Sequence, residues 1–175
     1  MTNTEAGAVE IPAAGTYRID AAQSGLSFKT KHFFGLGPVR GTFRIREGEL
    51  NVTDPVAGST ATATIDAASI DTGNAGRDRT VRSGQYLETD QHPDITFAST
   101  GLEQTGGTWV LHGTLTVRGT SGPLDVTLET ATVEGTTLRA RGHSRVDRYA
   151  FGITAMKGMT GRYLDLVLDL VADRA

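Results

Sequence analysis

The feature that most constrains this chain is a two-residue rhythm of apolar side chains, which recurs along its length and gives way to helix-like sequence only once. It is sharpest near the C-terminus, where Leu164, Leu166, Leu168 and Leu170 alternate with Tyr163, Asp165, Val167 and Asp169. Successive strand residues point to opposite faces, so such a row buries one face and wets the other. Tyr17 and Ile19 open the series. Leu26, Phe28, Thr30 and His32 share one face of the next run, and Val39, Gly41, Phe43 and Ile45 one face of a third. Ala57 to Ile65 forms a fourth β segment. After it come the rows Trp109, Leu111, Gly113, Leu115, Val117, then Leu124, Val126, Leu128, then Leu138, Ala140, Gly142 and Val146. Turn residues separate the runs: Gly35, Gly37 and Pro38; Thr53-Asp54-Pro55; Gly106-Gly107; Gly119 to Pro123; and Gly135. Asp147 to Thr160 reads as a long irregular connection.

The interruption lies between Ile65 and Phe97. Asp71 to Asn74 is turn chemistry, with Asn74 placed to cap the free N–H groups of a helix. Ala75 to Ser83 is predicted as that helix. Asp78 sits near its positive end, and Arg79 and Arg82 near its negative end. Gly84 is expected to supply a left-handed stop. His92-Pro93 then forces extended backbone before the β run Ile95 to Thr100.

Many short strands with one helix exclude a parallel α/β fold and leave an all-β antiparallel barrel or sandwich. A chain of 175 residues fits one domain, and 22 glycines with 6% aromatic residues suit strands and turns. Residues 1–14 (MTNTEAGAVEIPAA) read as a disordered extension and 15–175 as the domain. That extension lacks an early basic residue and a continuous apolar core, so it is not read as a signal peptide, and the expected compartment is the cytoplasm. No stretch is long enough to span a bilayer. The net charge of -3 comes from 17 basic and 20 acidic residues mixed along the chain, so nucleic acid is not an expected partner. Cysteine is absent, and the four histidines show no metal-ligand spacing. Neither a metal nor a cofactor is expected. The glycine-rich run from Gly35 to Gly41 contains a proline and leads into a strand, unlike a nucleotide loop.

Several runs arrive in a telling order: YRIDAAQSGLSFKTKHFFGLGPVRGTF, IDAASIDTG followed by RD, QYLETDQHPDITFAST, LHGTLTVRGTSGPLDVTL and DRYAFGI. Together they resemble the YceI-like family of polyisoprenoid-binding proteins, over nearly everything after Gly15. The resemblance implies an extended, lipocalin-like barrel of about eight strands with the helix after the fourth β segment, near one end. It also implies a long apolar ligand. Many relatives are exported, which this N-terminus does not match. In the last run Tyr149-Ala150 precede Phe151, where relatives carry an asparagine-arginine-aspartate-phenylalanine-glycine sequence.

Small inward residues, Thr30, Gly41, Ala61, Ala63 and Gly113, would leave such a barrel incompletely filled; the alternative is an ordinary core with large neighbours opposite them. Candidate ligand-binding walls are Phe28, Phe33, Phe34, Phe43, Phe97, Trp109, Leu111, Leu164, Leu166 and Leu168. His32 either hydrogen-bonds a ligand or is satisfied within the core. Arg77, Asp78 and Arg145 are candidate polar groups at the mouth, although for Arg77 and Asp78 the preferred reading is capping and pairing that fix the helix. Arg145, Asp147 and Arg148 read as a charged cluster closing one end. Asp165, Asp169 and Asp173 read as a solvated outer face. The expected role is non-enzymatic: binding, storage or transport of a long-chain polyisoprenoid, isoprenoid quinone, fatty acid or fatty amide, with a homodimer allowed. Two other classes remain: a stress-response or regulatory interaction protein with an incidental cavity, and an enzyme using His32 with a carboxylate.

Overall fold

The computed structural model describes residues 9–31, 38–157 and 160–175. Its strands are β1 (Gly15–Ile19), β2 (Gly25–Lys31), β3 (Pro38–Val52), β4 (Thr60–Asp71), β5 (Asp94–Thr105), β6 (Thr108–Val117), β7 (Thr120–Glu134), β8 (Thr137–Asp147) and β9 (Tyr163–Arg174). One helix, α1 (Ala75–Arg82), follows β4. These strands fill eight positions, because β1 and β2 occupy one. Both lie between β3 and β9: Tyr17 faces Leu50 and Arg174, while Phe28 faces Gly41 and Leu166. The break between them is a turn in which the Asp20 carboxylate accepts from the Ala22 and Gln23 N–H groups and the Gln23 amide. From β3 to β9 each strand pairs antiparallel with the next. The result is an up-and-down barrel, closed by β9 on the β1–β2 stave.

The hairpins show why these strands turn where they do. Gly106 and Gly107 take φ of 57° and 82°, and Arg118 and Gly119 take 50° and 74°. Paired left-handed residues match the twist of the flanking strands. The second turn is tighter than the turn expected from Gly119 to Pro123. Pro123 lies inside β7, opposite Thr114 of β6, and β7 meets β8 only from Thr127 onward. A missing N–H costs no ladder bond on that open side. Gly84 is not the left-handed stop expected of it. Helix α1 ends at Ser83, in extended backbone, whose N–H and hydroxyl both donate to the Thr80 carbonyl.

Inside the barrel, two of the small residues serve a different purpose from the one their size suggests. A Cβ at Gly41 would meet the Phe28 ring at 2.5 Å, and one at Gly113 would meet the Phe97 ring at 2.3 Å. Each glycine is a notch that a neighbouring ring already occupies, so neither leaves open space. The N-terminal residues also differ from expectation. Of the predicted disordered extension, residues 9–14 lie on the barrel: Val9 bridges Ala131, the Glu10 N–H donates to the Ala131 carbonyl, and Glu10 accepts from the Val133 N–H. Tyr17 and Arg174 then hold the carbonyls of Ala13 and Ala14.

On the outer wall His112 of β6 sits between Asp125 of β7, at 2.7 Å, and Glu103 of β5, at 2.9 Å. These bonds, Asp125's first, hold the imidazolium above its ordinary pKa of 6.5. A raised folded value means that the stabilisation is fully present below about pH 6.5 and is lost as pH climbs through the folded value. Thermal melts of wild type and His112→Gln at low salt should therefore diverge most near about pH 6 and converge as pH rises through the folded value. A gap that widens with rising pH would contradict this assignment.

Candidate functional site

Two adjoining chambers run along the barrel axis. The larger, about 660 Å³, lies at the α1 end, and the smaller, about 210 Å³, at the N-terminal end. Leu26, Ile65, Leu115 and Leu166 line both and form the waist between them. The small chamber is bounded by Ala61, Ala63, Phe97, Trp109, Leu111 and Leu168 among others, with Val9 to Pro12 crossing its outer end. Phe28, Phe43, Val39, Ile70, Leu164 and Ile153 line the large one. Phe28 and Phe43 pack there with centroids 5.6 Å apart and planes tilted by 43°. Phe28, Phe43, Phe97, Trp109, Leu111, Leu164, Leu166 and Leu168 thus all border a chamber, as their place in the alternation requires. His32, Phe33 and Phe34 lie outside the described residues.

The polar residues around the large chamber come from the connections at that end. Lys31, Thr72, Asn74, Arg77, Thr80 and Thr160 stand along its lining. The Asn74 side chain caps α1 by accepting from the Arg77 N–H at 3.0 Å. Arg77 is half-buried; its Nε donates to Thr72 Oγ1 at 2.9 Å and its Nη2 to the Thr72 carbonyl at 3.3 Å. Asp78 does not belong to the mouth. It is 6% exposed and turned toward the end of β4, where its carboxylate accepts from the Thr72 N–H at 3.0 Å and the Thr72 hydroxyl at 2.6 Å. Its role is to pin the helix to the strand it follows.

Arg145 also requires correction. Ser144 and Val146 point into the barrel, so Arg145 between them must point out. It pairs with Asp165 at 2.9 Å and lies 5.2 Å from the centroid of Tyr163, on the outer wall. Asp147 shares that outward parity and binds the Arg162 guanidinium through both oxygens at 2.9 Å. Asp169 and Asp173 of the same outer face meet Arg141 and the Thr137 hydroxyl.

The cluster's third member turns inward. Arg148 is 5% exposed and lines the large chamber. Its Nε donates to the Gly161 carbonyl at 2.8 Å, Nη1 to Ile153 at 2.9 Å and Nη2 to Thr160 at 3.1 Å. The guanidinium also lies 5.8 Å from the Tyr86 ring centroid and 4.9 Å from that of Tyr149. Three carbonyl dipoles and two ring faces replace the water such a cation loses. Tyr86 in turn bonds Thr160 through its hydroxyl at 2.9 Å. Sequence reasoning placed Arg148 in a charged cluster but missed that it alone is buried. The one available signal was its position just past the last strand residue, where parity no longer applies.

Among the described residues that line the two chambers there is no histidine, and the one carboxylate, Glu10, is held by the Val133 N–H. What the arrangement can do is hold a long apolar chain whose polar end faces hydrogen-bond donors at one mouth. A closed barrel with such an interior defines a small-molecule-binding β-barrel of lipocalin-like type.

The chain belongs to the YceI-like family: the family model described as YceI-like domain matches residues 17–172. Protein YceI of Shigella flexneri is 33% identical over 119 residues, covering 66% of this chain and 61% of that protein. A UPF0312 protein of Ectopseudomonas mendocina is 34% identical over 116 residues, covering 63% and 60%. The match thus spans about three fifths of these relatives' own length. Among solved structures, Burkholderia cenocepacia BcnA superposes with a TM-score of 0.78 at 24% identity, covering 87% of this chain and 98% of that one. A polyisoprenoid binding domain from Saccharophagus degradans does so at 0.65 and 14% identity, covering 93% and 100%. At these identities the structural likeness establishes the shared barrel.

Proposed function

We propose that this protein binds a long-chain apolar molecule of the isoprenoid or fatty class, for storage or transport, with the tail in the small chamber and the polar end at the α1 end. The observation that carries this reading is the polarity of the two-chamber interior. The small chamber is walled almost wholly by aliphatic and aromatic side chains, while Arg77, Arg148, Thr72 and Asn74 gather at the far end of the large one. The family and the polyisoprenoid binding domain with the same fold support it. Transfer of each methylene from water contributes about 0.8 kcal/mol, so one five-carbon unit gives roughly 3–4 kcal/mol before ordering losses. Affinity should therefore climb with chain length until both chambers are filled. Titration with prenols of increasing length, followed by quenching of Trp109 in the small chamber, reads this out. Rising affinity, with quenching only for the longer chains, is the expected result. Equal weak affinity for all lengths would count against it.

A further inference from the structure

We propose that the rim of the large chamber, on the outer wall of β3, β2, β9 and β8, is a docking face for an anionic lipid bilayer. Strand register assembles it. Arg40 lies opposite Lys29, Lys29 opposite Asp165, and Asp165 opposite Arg145, so one row across four strands carries three cations and one acid. In the next row toward the mouth, the Thr30–Leu164 pair sets Lys31 beside Tyr163, and Asp147 lies opposite Tyr163. Both acids are taken, Asp165 by Arg145 and Asp147 by Arg162. Lys29, Lys31 and Arg40 are exposed and have no carboxylate within 4.0 Å among the described residues. One row further from the mouth the wall is Thr42, Ser27, Val167 and His143, and the cationic band ends.

A second observation on this rim points to lipid. Three large hydrophobic side chains are exposed among the described residues, and two of them belong to this end of the barrel: Met156, at 48%, in the connection between β8 and β9, and Tyr163, at 43%, at the start of β9. Tyr163 is flanked by the guanidinium groups of Arg145 and Arg162, 5.2 and 5.0 Å from its ring centroid, and Lys157 lies 5.2 Å from that of Tyr149. An apolar tip ringed by cations is the composition that seats at a headgroup layer. The whole chain is negative, at -3, and exposed acids such as Glu47, Glu49, Glu134 and Asp173 lie toward the opposite end. The resulting charge separation along the barrel turns the rim, and with it the mouth of the large chamber, toward an anionic surface. Docked so, an apolar chain passes between bilayer and barrel without crossing water. That purpose rests on the binding reading above; the docking itself does not.

The test is sedimentation of the protein with phosphatidylcholine vesicles, alone or with about 30% phosphatidylglycerol. Binding to the anionic vesicles at about 50 mM salt, absent on the neutral ones and lost near 500 mM, is expected. Lys29→Glu with Lys31→Glu should weaken it at least about tenfold, and Arg40→Glu is the independent second variant. Arg139→Glu, at the opposite end, should leave it unchanged. No binding to anionic vesicles at low salt, or binding indifferent to the rim variants, overturns the proposal. Capture on soluble polyglutamate without capture on vesicles overturns it in favour of an acidic protein partner. Uptake of a detergent-dispersed prenol, measured on wild type and Arg40→Glu, fails only if the binding reading itself is wrong.

Discussion

Arg148→Ala is expected to lower stability by about 3–5 kcal/mol and the melting temperature by roughly 10 °C. The guanidinium holds three carbonyls of the connection between β8 and β9, those of Ile153, Thr160 and Gly161. Truncation leaves these acceptors facing an apolar chamber, and each buried polar group without a partner costs about 1–3 kcal/mol. It also opens a void beneath Tyr86, whose ring the guanidinium faces. Lysine in its place retains the charge but not the fork that serves three acceptors at once, so Arg148→Lys should recover less than half of the loss. Chemical denaturation, monitored by far-ultraviolet circular dichroism, measures both. A change below about 1 kcal/mol for Arg148→Ala would show that the connection is held by something other than this cation.

The second large effect is on ligand length. Ala63 lies in β4, opposite Gly48 and Phe97, and lines the small chamber. Ala63→Trp should fill much of that space while leaving the large chamber untouched. A C40 prenol then loses the part of its tail seated beyond the waist, and each excluded isoprene unit forfeits roughly 3–4 kcal/mol gross. Affinity for the C40 chain should fall at least about tenfold, while that for a C15 chain, which the large chamber holds, changes little. Because the new side chain enters open space, the stability cost should stay under about 1–3 kcal/mol, the usual range for overpacking. Equal loss for both lengths would indicate a single chamber, and no loss for either would place the ligand elsewhere.

The staves of this barrel were legible because each buries one face and wets the other. Leu164 to Leu170 and Trp109 to Val117 announce their strands and their inward sides by alternation alone. The broken first stave was not legible as one unit, since nothing in Tyr17–Ile19 and Leu26–Lys31 says that both will lie between β3 and β9. Helix α1 and its Asn74 cap were legible from local chemistry; the end at Ser83 was not, because a serine hydroxyl replaced the glycine geometry expected one residue later. At the site, wall residues followed from parity, and Arg145 was misplaced against it: the alternation that turns Ser144 and Val146 in has to turn Arg145 out. Gly41 and Gly113 suggested empty space because their size is local information, whereas the rings of Phe28 and Phe97 that occupy the notches come from neighbouring strands. The basic rim escaped notice for a similar reason. Its members are scattered from Lys29 to Arg162 and meet only when four strands come into register.

Binding of a long apolar chain depends on an apolar interior that the protein's own side chains do not fill. Native mass spectrometry of protein purified without detergent tests this most directly. The predicted spectrum contains, beside the bare chain, a species heavier by the mass of one hydrophobic molecule, and addition of a C40 prenol converts the remainder to a one-to-one complex. A bare chain that takes up no prenol at any ratio would contradict it.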